Sequence, residues 1–219
     1  MMRVKICGIT TLDDARICAE AGADLIGLNF YKKSPRIITP DTARNLCTTL
    51  RAEFGERCPL FVGVFVNEIV SHISMTMDDT GLDFAQLSGD ESLEMLRELR
   101  GIAFKAIRPR SQSEALDDAR YFASGVSSSE RIPSLLLDAY NPALYGGTGE
   151  TAAEDVALAV KGETSRLMLA GGLTPENVAA RIDAIQPWGV DVASGVEGDT
   201  PGRKDGAKIR AFVAAVKTL

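Results

Sequence analysis

Short apolar runs alternate along this chain with longer amphipathic segments. The runs are nearly continuous rather than strictly alternating, which is typical of parallel strands covered on both faces by crossover helices. Eight runs have this character: residues 4–7, 25–30, 60–66, 84–87, 103–107, 135–138, 167–170 and 190–192.

The segments between the runs carry helix start signals. Thr39 and Thr174 each precede a proline and an acidic residue, the arrangement of an N-cap followed by proline at the first helical position. Thr10 is followed three residues later by Asp13, as in a variant capping box. A last helix is predicted at about residues 204–217. Its apolar stripe consists of Ile209, Phe212, Val213 and Val216.

Eight strand–helix units in 219 residues fit a closed eight-stranded barrel or an open doubly wound sheet. A dinucleotide-binding sheet carries G-x-G-x-x-G after its first strand, whereas residues 7–11 read Cys-Gly-Ile-Thr-Thr. We therefore predict an α/β protein with a single (β/α)8 TIM-barrel domain over residues 1–219. This length is compact for that fold.

Composition narrows the classes of function. Hydrophobic residues make up 45% and charged residues 25% of the chain, as in ordinary globular proteins. Thirty acidic residues against 24 basic ones give a net charge of -6, which argues against nucleic acid as the main partner. No run approaches the ~18 apolar residues of a membrane span, and no signal-peptide pattern is seen at the start. We expect a cytoplasmic protein without a membrane partner, either a monomer or a homodimer.

The sequence predicts no metal site. The four cysteines show no CxxC spacing, and one histidine cannot form a multi-histidine site. That histidine, His72, lies in a polar helical segment, so we expect it at the surface and predict no Ser-His-Asp triad.

Active sites of TIM barrels lie at the C-terminal ends of the strands, and this rule selects the candidates. Glycine-rich exits follow the seventh and eighth strands, at Gly171, Gly172, Ser194 and Gly195. Such loops let backbone N–H groups approach an anion, so we predict a phosphate site there; the alternative is that these glycines serve tight turns only.

Two side chains at strand ends are candidates for proton transfer. Cys7 ends the first strand and could act as a base once it is a thiolate, although a buried apolar cysteine is the common alternative. Asp138 ends the sixth strand, where partial desolvation suits a proton donor; the alternative is a structural carboxylate. Asp191 could likewise be a functional or a structural carboxylate, and the structural role is the more ordinary one. We keep it as a substrate-binding candidate.

Arg36 is the candidate for carboxylate recognition. Pro35 stiffens the loop that carries it, and a guanidinium can bind a carboxylate through two hydrogen bonds. The alternative is a solvated surface arginine.

Seven segments, in order along the chain, resemble the phosphoribosylanthranilate isomerase family. They are VKICGIT (4–10), FYKKSPR (30–36), VGVFVNE (62–68), LLLDA (135–139), GGTG (146–149), LAGGLTPENV (169–178) and VDVASGVE (190–197).

The resemblance implies an Amadori rearrangement of N-(5'-phosphoribosyl)anthranilate without a metal or organic cofactor. It implies that Asp138 protonates the furanose oxygen and that Cys7 removes the C2' proton. It also implies that Arg36 holds the anthranilate carboxylate, and that the loops after the seventh and eighth strands hold the phosphate.

Two positions depart from the family pattern. Ser88 stands where the family has histidine, and Glu150 stands where it has lysine. Two alternatives stay open: a relative that rearranges a different phosphorylated aminosugar, and a non-catalytic barrel that binds a sugar phosphate.

Overall fold

The structure is a computed structural model that describes residues 2–99, 101–138 and 149–218, with the backbone alone for residues 149–153. Within these residues eight strands alternate with eight α-helices. The strands are β1 (Arg3–Cys7), β2 (Leu25–Asn29), β3 (Leu60–Phe65), β4 (Phe84–Leu87), β5 (Ala103–Ile107), β6 (Leu135–Asp138), β7 (Leu167–Ala170) and β8 (Gly189–Val192). The helices are α1 (Leu12–Ala21), α2 (Pro40–Phe54), α3 (Val70–Thr80), α4 (Leu93–Glu98), α5 (Gln112–Ala123), α6 (Gly149–Glu163), α7 (Val178–Ile185) and α8 (Gly206–Lys217).

The eight strands close into one parallel barrel in chain order. The first and last strands complete it, because Arg3 pairs with Gly189 and the register runs on to Ile6 and Val192. The predicted TIM barrel is confirmed, and the bounds of β4 to β7 are those that the apolar runs predicted.

Alternate residues of each strand point to opposite faces of the barrel, which separates two cores. On β1, Val4 and Ile6 belong to the large core between the sheet and the helices. A smaller core fills the barrel interior with residues such as Leu25, Phe84 and Phe104. Towards the C-terminal ends of the strands, polar residues such as Asn29, Gln86 and Asp191 join apolar ones such as Val64 and Ala106 in lining a pocket.

The helix caps correct two predictions from the sequence. Thr11, not Thr10, caps α1: its Oγ1 accepts a hydrogen bond from the Asp14 N–H at 3.2 Å, while the Thr10 hydroxyl donates to the Gly202 carbonyl. Helix α7 begins at Val178, later than predicted. Thr174 still caps the turn that leads into it, because its Oγ1 accepts from the Glu176 N–H at 3.3 Å and its carbonyl accepts from the Val178 N–H at 3.1 Å.

The other two helix predictions are confirmed. Thr39 caps α2, with its side chain accepting from the Thr42 N–H. The predicted stripe on α8 is buried, and Asp205 caps that helix. No helix in the described part of the chain has both the length and the apolar character needed to cross a membrane.

Candidate active site

A cavity of about 440 Å³ opens at the C-terminal ends of the strands. All eight residues selected from the sequence line it, although they come from five separate parts of the chain. They are Cys7, Arg36, Asp138, Gly171, Gly172, Asp191, Ser194 and Gly195. All eight residues therefore lie at one pocket, and the role of each stays a prediction.

The two candidates for proton transfer approach the cavity from strands that are not neighbours. Cys7 ends β1 and is 9% exposed, and Asp138 ends β6 with 25% of its side chain exposed. The Arg108 Nε donates a hydrogen bond to Asp138 Oδ2 at 3.0 Å. Both reactive groups therefore face the same space from different sides of the barrel.

The loops after β7 and β8 have the backbone geometry of an anion site. Gly171 and Gly172 have φ values of 93° and 65°, which is the left-handed region that glycine adopts without strain. Among the described residues, no protein acceptor pairs with the N–H groups of Gly172, Ser194 or Gly195. These donors are available to a bound phosphate.

Arg36 reaches across the pocket rim to a carboxylate. Its Nε donates to Glu197 Oε1 at 2.7 Å, and its Nη2 donates to Oε2 at 2.8 Å. Lys204 Nζ also donates to Oε1, at 3.2 Å. Burial by itself would raise the pKa of Glu197, but the Arg36 hydrogen bond and the Lys204 charge outweigh it and lower this pKa to about 2. The Arg36 guanidinium is therefore held in a fixed orientation at the pocket.

A second buried ion pair lies on the pocket floor. Lys5 Nζ donates to Asp191 Oδ1 at 3.0 Å, and the lysine side chain is fully buried. Burial acts to lower the pKa of Lys5, yet the charge of Asp191 and its hydrogen bond, together with the interaction with Cys7, outweigh it and raise this pKa. One oxygen of Asp191 is thus engaged by Lys5 inside the barrel.

The structure adds four residues that were not selected from the sequence: Lys5, Arg108, Glu197 and Lys204. Lys5 could have been selected from the sequence, because a residue two positions before Cys7 on a strand points to the same face of the sheet. Arg108 follows the apolar run 103–107 and so stands at a strand's C-terminal end. Glu197 and Lys204 lie in loops, where no periodicity predicts direction.

Of the two departures from the family pattern, only the side chain of Ser88 lies among the described residues. The Ser88 hydroxyl accepts a hydrogen bond from Gln86 Nε2 at 3.0 Å. Gln86 lines the pocket, whereas Ser88 lines a neighbouring cavity. The Glu150 side chain and most of the GGTG segment (146–149) lie outside the described residues.

His72 is at the surface, as expected. Its side chain is 48% exposed on α3, and its Nδ1 lies 3.0 Å from a carboxylate oxygen of Glu68. In residues 2–99, 101–138 and 149–218, no three His, Cys, Asp or Glu side chains are grouped so as to hold a metal ion.

A closed parallel barrel, with a pocket at the strand ends and glycine loops beside it, defines the class of TIM-barrel enzymes that act on phosphorylated substrates. The model of the family N-(5'-phosphoribosyl)anthranilate (PRA) isomerase matches residues 4–215. The chain therefore belongs to the N-(5'-phosphoribosyl)anthranilate isomerase family.

Individual relatives agree over the full length of the chain. N-(5'-phosphoribosyl)anthranilate isomerase of Citrifermentans bemidjiense is 43% identical over 222 residues, which cover 100% of this chain and 98% of that protein. The crystal structure of phosphoribosyl anthranilate isomerase from Thermotoga maritima is 38% identical, with a TM-score of 0.84 and complete coverage of both chains. A structure of such an isomerase in complex with reduced 1-(o-carboxyphenylamino)-1-deoxyribulose 5-phosphate is 35% identical, with a TM-score of 0.83 and the same coverage.

Proposed function

We propose that Asp138 and Cys7 carry out the proton transfers of an Amadori rearrangement in the pocket of this barrel. The reaction follows from the family: the chain is an aldose–ketose isomerase of tryptophan biosynthesis, whose substrate is N-(5'-phosphoribosyl)anthranilate. The observation that carries the assignment of residues is that both side chains line one cavity from non-adjacent strands.

Asp138 is the general acid in this proposal. It donates a proton to the furanose ring oxygen, the bond from C1' to that oxygen breaks, and the substrate nitrogen forms an iminium with C1'. Arg108, which donates to Asp138 at 3.0 Å, fixes the direction of the carboxyl group. The nitrogen of the substrate accepts the electrons of the next step, so neither a metal nor an organic cofactor is needed.

Cys7 is the general base. The iminium acidifies the proton at C2', and the Cys7 thiolate removes it to give an enolamine that tautomerises to the ketone. The base and the acid come from β1 and β6, and this placement supports attack on the sugar from two sides.

The remaining candidates bind the two anionic ends of the substrate. The backbone donors of Gly171, Gly172, Ser194 and Gly195 receive the phosphate, which suits a chain with net negative charge. Arg36 presents its guanidinium to the anthranilate carboxylate while Glu197 holds it from the other side. Asp191, which lies on the pocket floor, is the remaining substrate-binding residue of this proposal.

The direct test is to generate the labile substrate from anthranilate and phosphoribosyl pyrophosphate and to follow the loss of its fluorescence. Purified protein should accelerate this loss well above the uncatalysed background. A rate equal to the background would remove the proposed activity. It would leave a related aminosugar isomerase, or a sugar-phosphate-binding barrel, as the explanation.

We also infer that residues 1–219 form one domain, that the protein is cytoplasmic, and that it is a monomer or a homodimer. The pairing of β1 with β8 supports the single domain, because the two ends of the chain complete the same sheet. Sedimentation velocity would decide the oligomeric state.

A further inference from the structure

The buried ammonium of Lys5 lies next to the thiol of Cys7. The two residues are two positions apart on β1, so their side chains share the inner face of the barrel. Both lie against Gly27 on the neighbouring strand: a Cβ at residue 27 would be 2.7 Å from Cys7 Sγ and 3.1 Å from Lys5 Nζ. Glycine at this position leaves the space in which the two groups meet.

The charges around Cys7 are unequal in number. Three cations lie close enough to interact electrostatically with Cys7: Lys5 from β1, Arg36 from the loop after β2, and Lys204 from the segment before α8. Two carboxylates pair with them, Asp191 with Lys5 and Glu197 with both others.

A third carboxylate, Asp14, lies 3.5 Å from the backbone N–H of Lys204 and does not form an ion pair with the ammonium. Within the described residues, the three cations around Cys7 are thus paired with two carboxylates.

We propose that Lys5 is a positioning residue for the isomerase reaction: its buried ammonium stabilises the thiolate form of Cys7 and so keeps the base ready for the C2' proton. This inference rests on the proposed role of Cys7. When the thiolate accepts the proton, the C2'–H bond breaks and an S–H bond forms, while the electron pair moves through C1' to the iminium nitrogen. Lys5 keeps its proton and its pair with Asp191 throughout.

A purely structural role for Lys5 makes a different prediction. If the lysine only neutralised Asp191 and filled the barrel, its loss would lower stability without changing the titration of the thiol. The chain provides a matched control in Lys105, which is 4% exposed and pairs with Glu91 at 2.9 Å. That ammonium lies 5.7 Å from the Phe122 ring centre, outside the barrel interior.

The experiment measures the rate of iodoacetamide alkylation of Cys7 against pH in the substrate-free protein, with the Cys7 peptide quantified by mass spectrometry. In Lys5→Met we expect the midpoint of the profile to rise by about one pH unit or more, the scale of one nearby charge. The acid limb of kcat/KM should move with it. Lys5→Arg keeps a cation and should therefore show a smaller shift than Lys5→Met. Lys105→Met should have the same midpoint as the parent.

Asp191→Asn should shift the alkylation midpoint of Cys7 in the opposite direction, and it tests the proposal if Lys5→Met does not fold. It keeps the ammonium and removes the competing carboxylate, so the alkylation midpoint should fall. An unchanged midpoint in folded Lys5→Met, or a rise in Asp191→Asn, would overturn the proposal. Failure of the proposed role of Cys7 would instead appear as activity in Cys7→Ser, which this substrate-free measurement does not depend on.

Discussion

Arg36 and Glu197 join the loop after β2 to the loop after β8 through two parallel hydrogen bonds of 2.7 and 2.8 Å. Glu197 also accepts from the Gly202 N–H at 3.1 Å and from Lys204 at 3.2 Å. Such a bidentate pair fixes the plane of the guanidinium as well as its position. The orientation of the pocket arginine therefore depends on a carboxylate 161 positions away in the chain.

The first prediction concerns this pair. Glu197→Gln keeps the shape of the side chain but removes its charge, so Arg36 loses its fixed orientation. We expect KM to rise about tenfold with a smaller change in kcat, the scale of a hydrogen bond to a charged group. Arg36→Ala, which also removes the proposed carboxylate contact, should raise KM further. Steady-state kinetics with the fluorescent substrate would measure both.

Glu163→Gln is the matched control for that prediction. Glu163 also accepts from an arginine, Arg120, but this pair is on the surface between α5 and α6. Exposed pairs contribute little, so KM should stay at the parent value. Equal KM in Glu197→Gln and the parent would mean that Arg36 binds no part of the substrate or is held in place by other contacts.

The second prediction concerns the proposed acid and base. Cys7→Ser and Asp138→Asn should each lower kcat by at least ~100-fold, the usual scale for loss of general acid or base catalysis. Cys58→Ser is the control, because Cys58 lies before β3 at the opposite end of the barrel. Near-parental rates in both Cys7→Ser and Asp138→Asn would reject the assigned roles.

Whether a feature could be predicted from the sequence depends on whether its residues lie in strands or in loops. The strands could be predicted because parallel strands under helices need continuous apolar runs, and the strand-end rule then placed Cys7 and Asp138. The ion pair between Arg36 and Glu197 could not be predicted, because it depends on how two loops meet in space. The start of α7 was placed too early because the cap at Thr174 belongs to a turn that precedes the regular helix.

The third prediction tests the anion site. Gly172 has a φ of 65°, where a Cβ costs roughly 1–2 kcal/mol, so Gly172→Ala should shift the loop and its N–H donors. We expect weaker inhibition by inorganic phosphate, with a Ki raised about tenfold, and a similar rise in KM.

Gly162→Ala controls for the added methyl group. Gly162 is in α6, and apart from its chain neighbours and the adjacent helix backbone, no atom of the described residues lies within 4 Å of the position that a Cβ would take. This variant should keep the Ki of the parent and gain slightly in stability, since alanine favours a helix over glycine. A parental Ki in Gly172→Ala would place the phosphate elsewhere.

The fourth prediction concerns acid stability. The pKa of Glu197 is about 2 in the folded protein against 4.5 for an ordinary glutamate. A carboxyl group whose pKa is lowered by folding stabilises the protein above its unfolded pKa, and this contribution is lost as the pH falls towards the folded value. The free energy of unfolding should therefore decrease between pH 4.5 and pH 2 by on the order of 2–3 kcal/mol from this group. Urea unfolding followed by the fluorescence of the single tryptophan, Trp188, would measure it.

Two variants isolate the contribution of Glu197 from that of the other carboxylates. Glu197→Gln should be less stable at neutral pH, because Arg36 and Lys204 lose their charged partner, but it should lose less stability than the parent on acidification. Arg36→Ala removes the main hydrogen bond that lowers the pKa and should likewise flatten the dependence on pH. If the parent and Glu197→Gln lose equal stability between pH 4.5 and pH 2, the carboxylate is not held ionised by this cluster. The fixed orientation of Arg36 would then need another cause.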